Sequence, residues 1–147
     1  MAGLLFATGC TGNEQGPVQE SSGITPVATS TSPLSSDYSL KPSPTDEVSD
    51  NFMVYIDAIK DPISGSVTVI SRGGPGLYMV NTLDVKIYLS NGEIIEREIA
   101  PDVNSEVVFD EGTKGDDRVV VKATYDNGET YKVFDDLLIF RKKTDNK

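Results

Sequence analysis

The side chains with reactive types or suggestive spacing fall in four places. Cys10 closes the run Leu4-Leu5-Phe6-Ala7-Thr8-Gly9-Cys10. A short apolar stretch, small residues and then a lone thiol suit lipid attachment at Cys10. Asp110-Glu111 and Asp116-Asp117 flank Gly112-Thr113-Lys114-Gly115. Four carboxylates around one loop make a weak Ca²⁺ candidate, since that ion takes about six to eight oxygens. The spacing is not that of an EF-hand, and Lys114 opposes a cation, so the competing reading is a capped, solvated turn whose Arg118 pairs with a nearby carboxylate. Gly73-Gly74-Pro75-Gly76 is the most glycine-rich loop. A phosphate cradle needs successive N–H donors and a following lysine and helix. Pro75 removes one donor, and Leu77-Tyr78-Met79 follows. The segment therefore reads as a tight crossover or as a partner-contact loop of Gly73, Gly74, Pro75, Gly76, Leu77 and Tyr78. Finally, Glu96/Glu98 and Asp135/Asp136 are carboxylate pairs. Glycoside hydrolysis needs two carboxyls about 5–10 Å apart across a cleft. Glu96 and Glu98 instead fall on one face of a strand, and no Trp supplies a sugar platform.

The chain has no histidine. That removes Ser/His/Asp and Cys/His nucleophiles, and with them the commonest general base and metal ligand. One cysteine also precludes an internal disulfide. With no catalytic set and no cofactor motif, the expectation is a protein that is not an enzyme and carries no cofactor. The net charge is −10. Nucleic acid and anionic membranes need a basic footprint, so a nucleic-acid partner is not expected. Arg141-Lys142-Lys143 is a short basic run read as solvated, or as a contact for acidic neighbours.

These residues sit in an unequal chain. Residues 1–10 read as the remnant of a lipoprotein signal ending at Cys10. They are too short to span a bilayer, which takes about 20 apolar residues, and they lack a basic n-region. Two readings stay open: Met1 is a late start within a signal peptide, or Cys10 is a chance cysteine in a disordered cytosolic N-terminus. In residues 11–50, 22 of 40 residues are Ser, Thr, Pro or Gly. Too little apolar surface exists there to offset the entropy of ordering, so a disordered linker is expected. Residues 51–141 read as one folded domain, and residues 142–147 as a basic polar tail.

Within 51–141 the dominant signal is alternation. Val85, Ile87 and Leu89 share a face opposite Asp84, Lys86 and Tyr88, and Val119, Val121, Ala123 and Tyr125 do the same. Period two over this length predicts half-buried antiparallel strands. Seven are expected, near 52–60, 66–72, 83–90, 93–100, 105–110, 117–126 and 129–140, with no helix. Ser90-Asn91-Gly92-Glu93 and Asp126-Asn127-Gly128-Glu129 each place Asn-Gly between strands, which predicts two-residue hairpin loops with positive φ. Asp135-Asp136 interrupts the last strand and suggests a bulge or sheet switch there. The expected inward set includes Val67, Val69, Val85, Ile87, Phe109, Val119, Val121, Tyr131, Val133, Leu137 and Ile139. The predicted fold is all-β, an antiparallel immunoglobulin-like β-sandwich.

The runs Arg72-Gly73-Gly74-Pro75-Gly76-Leu77, Gly112-Thr113-Lys114-Gly115-Asp116-Asp117-Arg118 and Thr130-Tyr131-Lys132-Val133 with Leu137-Leu138 resemble small exported proteins of methanogenic archaea. Those are lipoproteins or pilin-like proteins with an immunoglobulin-like C-terminal domain. The resemblance covers about residues 66–141. It implies an extracellular, all-β domain and no catalytic residues. The resulting expectation is a lipid-anchored surface protein for binding or adhesion. Its partners would be the membrane through its lipid, and envelope proteins or its own copies. The alternative is a structural subunit of a surface filament, sheath or layer, with Phe52–Ile59 exchanged by strand addition.

Overall fold

The computed structural model describes residues 37–142. Cys10 and residues 11–36 of the expected linker lie outside them. The described chain forms seven strands: β1 (Tyr55–Lys60), β2 (Val67–Gly73), β3 (Val80–Tyr88), β4 (Ile94–Ile99), β5 (Glu106–Phe109), β6 (Asp117–Tyr125) and β7 (Thr130–Leu138). They build two antiparallel sheets, ordered β1-β2-β5 and β4-β3-β6-β7. The seven expected strands are present, and among the described residues the only helical turns are short 3-10 turns at Asp50–Phe52 and Leu77–Met79. None of the described helices is long and apolar enough to cross a membrane.

Alternation becomes burial as the period requires. Val67, Val69, Leu83, Ile87, Leu89, Phe109, Val119, Val121, Ala123 and Tyr125 are fully enclosed between the sheets. Tyr125 closes one end of the core. Its ring meets Phe52 and Tyr131 edge-on at 5.2 and 5.7 Å, and its hydroxyl donates to the Phe52 carbonyl.

The two Asn-Gly turns are three-residue loops, not the expected two-residue ones. Leu89 N–H donates to Glu93 O at 2.8 Å and Gly92 N–H to Leu89 O at 3.0 Å. Tyr125, Glu129 and Gly128 repeat the pattern at 2.8 and 2.9 Å. Only the glycines, at φ 96° and 83°, are left-handed. Asn91 and Asn127 do not take a positive φ, and their side chains are used locally. Each Oδ1 accepts the N–H of the following glutamate, at 3.0 and 2.9 Å. A type I turn closed by a left-handed glycine is the other common hairpin solution.

The last strand differs in register. Val121 pairs with Phe134, yet Lys122 pairs with Lys132, so Val133 is an extra residue. The bulge lies at Val133, whereas Asp135 and Asp136 pair regularly with Val120 and Val119. One added residue reverses which side chains face inward. Phe134 and Leu138 therefore join the core. Leu137, expected inward, sits opposite Arg118, and Ile139, also expected inward, is 55% exposed.

The Gly73–Gly76 loop carries the chain from one sheet to the other. Gly76 is pressed against the backbone of Phe52, where an added Cβ would lie 2.4 Å from the carbonyl carbon. Gly76→Ala is expected to destabilise the fold by about 1–3 kcal/mol through overpacking. Urea denaturation checks this, and an unchanged midpoint would refute the close approach.

Candidate functional site

The densest polar constellation lies on the outer face of β6 and β7, under a strap formed by residues 38–46. The strap is pre-extended by its own sequence. Lys41 and Ser43 each precede a proline, which disfavours helix and holds the backbone extended. The Val133 bulge supplies the other half. It turns Asp135 outward, beside Arg118 and Lys132.

Arg118 grips Asp135 with two parallel bonds, Nε to Oδ1 at 2.7 Å and Nη2 to Oδ2 at 2.5 Å. Its Nη1 donates to the Ser39 carbonyl at 3.0 Å, and its guanidinium stacks 5.2 Å from the Tyr88 ring. Ser43 donates to Asp135 Oδ2 through N–H at 3.1 Å and Oγ at 3.0 Å. Lys132 Nζ adds bonds to Asp135 at 3.2 Å and to Ser43 Oγ at 2.6 Å. The Asp135 side chain is fully enclosed and that of Arg118 nearly so. Burial alone pushes the Asp135 carboxyl up. The donors from Arg118, Ser43 and Lys132 outweigh it and hold the group at about 2.

Two further contacts fasten the strap. Tyr38 packs 6.1 Å from Tyr88 and donates its hydroxyl to Leu89 O at 2.5 Å. Asp46 pairs with the edge of β7, donating N–H to Lys132 O at 2.9 Å and accepting Lys132 N–H at 2.7 Å. The linker expected over 11–50 thus gives way to docked chain by residue 38.

A second buried pair lies between the sheets. Lys60, at the end of β1, contacts Asp117, at the start of β6. Asp117 also accepts from Ser90 N–H at 2.9 Å, Thr113 N–H at 2.8 Å and Thr113 Oγ1 at 2.6 Å. This arrangement spreads the Ca²⁺ candidates apart. Asp117 is turned inward, Glu111 pairs with Arg97 at 2.6 Å, Asp116 accepts Phe140 N–H at 3.1 Å, and Asp110 is exposed. Among the described residues no group of three or more acidic or cysteine side chains is placed to hold a metal ion.

The partner-contact candidates divide. Gly73 and Gly76 are buried, and Gly74 packs against Met53 and Val54. Leu77 enters the core, whereas Pro75 and Tyr78 are exposed, Tyr78 by 82%. Glu96 and Glu98 lie together on the outer face of β4, where they border a depression of about 520 Å³ with Lys86, Tyr88, Val120 and Lys122. Glu96 is paired with Lys86. Arg141 and Lys142 are exposed, and Lys143 lies outside the described residues.

Sequence reasoning missed Lys60 and Lys132 and the strap residues Tyr38, Ser39 and Ser43, while the expected carboxylate partner of Arg118 is Asp135 on β7. Lys60 was detectable. It shares the inward parity of Ile56 and Ala58, a position where a free lysine would be costly.

No protein-family model and no curated protein matches the chain. Among solved structures, a polysaccharide deacetylase from Bacillus cereus aligns at 13% identity and a TM-score of 0.48. The match covers 60% of this chain and 30% of that one, so the alignment spans less than a third of the deacetylase. The fn3 domain of human collagen alpha-1(XX) chain aligns at 13% identity and a TM-score of 0.46, over 71% of this chain and 93% of that one.

Proposed function

We propose that this protein is a non-enzymatic display module, held at the outer cell surface by lipid on Cys10, that presents its sandwich for binding or adhesion. The observation that carries this reading is the strap. The chain arriving from the Ser/Thr/Pro-rich segment is fastened to the rigid outer face of β6 and β7 by an enclosed ion cluster. A tether pulling on the domain would load that cluster before it loaded β1. The opposite sheet keeps apolar contact area in the open. Ile59 and Val108, 50% and 39% exposed, flank Thr68 in one cross-strand row. Tyr78 projects from the β2–β3 connection.

The alternative is a filament, sheath or layer subunit assembled by strand addition. Among the described residues no strand pairs with the outer edges of β1 and β4, which supports it. Exchange of Phe52–Ile59 is opposed by Tyr125, which binds Phe52, and by the Lys60–Asp117 contact at the end of β1. At β4 the inward-facing Arg97 binds Val108 O and Glu111, which disfavours edge-to-edge pairing. Regular polymers in electron micrographs of surface material would favour the alternative.

The intact mass of protein from native envelopes tests the display reading. A chain that begins at Cys10 and carries lipid there is expected, and Cys10→Ser should move the protein from the detergent-extracted to the soluble fraction. An unprocessed chain overturns the anchor.

A further inference from the structure

We propose that Lys60 and Asp117 form a self-modification site, joined by an intramolecular isopeptide bond between the lysine nitrogen and the aspartate Cγ. Both side chains are almost wholly out of water, 4% and 0% exposed, and in direct contact. Each faces the core, Lys60 opposite Val67 and Asp117 opposite Leu138. The neutral amine is the nucleophile.

The aspartate is set up as an acyl group. Its Oδ1 accepts from Ser90 N–H at 2.9 Å and Thr113 Oγ1 at 2.6 Å, two fixed donors for a developing oxyanion. Its Oδ2 faces Lys60 and is the leaving oxygen. One proton passes from Nζ to Oδ2, and the Nζ lone pair forms the N–Cγ bond while Oδ1 takes the negative charge. A second proton then passes from nitrogen to Oδ2, the Cγ–Oδ2 bond breaks, and water departs. The ammonium supplies both protons and keeps its third as the amide hydrogen. No oxidant or cofactor enters the balance. Fixed contact replaces an encounter, and enclosure keeps water from reversing the step. The bond staples β1 of one sheet to β6 of the other.

The full chain, produced without export, is weighed in denaturant by mass spectrometry. The expected mass is lower than that of the sequence by one water, with the full mass restored in Lys60→Ala and Asp117→Ala. A full sequence mass for the unaltered chain overturns the proposal. Either variant can fail to fold, so the unaltered chain is also digested and fragmented. A branched peptide joining Lys60 to Asp117 is expected, and a water loss located at any other residue overturns the proposal.

Discussion

Asp117→Ala is expected to lower the unfolding free energy by about 3–5 kcal/mol, the cost of leaving a buried charge without its partner. The carboxylate accepts from four donors, and all of them lose it at once: Lys60 Nζ, Ser90 N–H, and the N–H and hydroxyl of Thr113. Lys60 cannot relieve the loss by reaching water, because its side chain is 4% exposed. The substitution removes the tie between β1 and β6. Thr113→Val is the control. It deletes one hydroxyl donor while leaving the carboxylate and the lysine together, and should cost about 1 kcal/mol. Equilibrium denaturation of the three proteins decides the matter. Equal losses for the two variants would mean that Asp117 acts as an ordinary loop cap.

The second large effect belongs to the strap. Asp135→Ala strands two cations, Arg118 and Lys132, and removes the acceptor that holds Ser43. A loss of about 3 kcal/mol is expected, together with rapid hydrogen exchange at the Ser43 and Asp46 amides. Retained protection at those amides would show that Tyr38 and the β7 edge hold the strap by themselves. Acid should act on the same group. The Asp135 carboxyl is held at about 2 in the fold against an ordinary 3.8. A depressed carboxyl stabilises the fold fully above its unfolded value, and the contribution disappears as pH falls through the folded one. That contribution is about 2 kcal/mol. The stability gap between the parent and Asp135→Asn should therefore shrink by about that amount between pH 4.5 and pH 2. A constant gap across this window would remove the cluster from the acid response.

Both expectations concern carboxylates that attract notice in the sequence, Asp135 within the pair Asp135-Asp136 and Asp117 beside the Gly112–Gly115 loop. The four around that loop are Asp110, Glu111, Asp116 and Asp117. They separate in space because Asp117 begins a strand whose parity turns it inward while Asp116 and Glu111 stay at the rim. The glycine loop fared differently. Its composition pointed to a site that tolerates no bulk, and Gly74 and Gly76 do touch backbone where a Cβ would collide. Its apolar tip does not stay together, because Leu77 folds into the core and leaves Tyr78 outside.

What the amino-acid sequence determined by itself is what depends on neighbours along the chain. Period-two alternation located the strands, since adjacent side chains in an extended backbone must point to opposite faces. The Asn-Gly pairs located the hairpins, because a left-handed residue is needed wherever two strands turn back tightly. Tertiary structure alone decided the rest. The Val133 bulge is a choice of register between β6 and β7, and no local period encodes it. That one extra residue places Leu138 inside, Leu137 outside and Asp135 beside Arg118. The strap reads as linker because its composition has little apolar surface to bury. It docks because its serines and its one tyrosine meet donors and acceptors more than 50 residues away, which only a closed sandwich brings within reach.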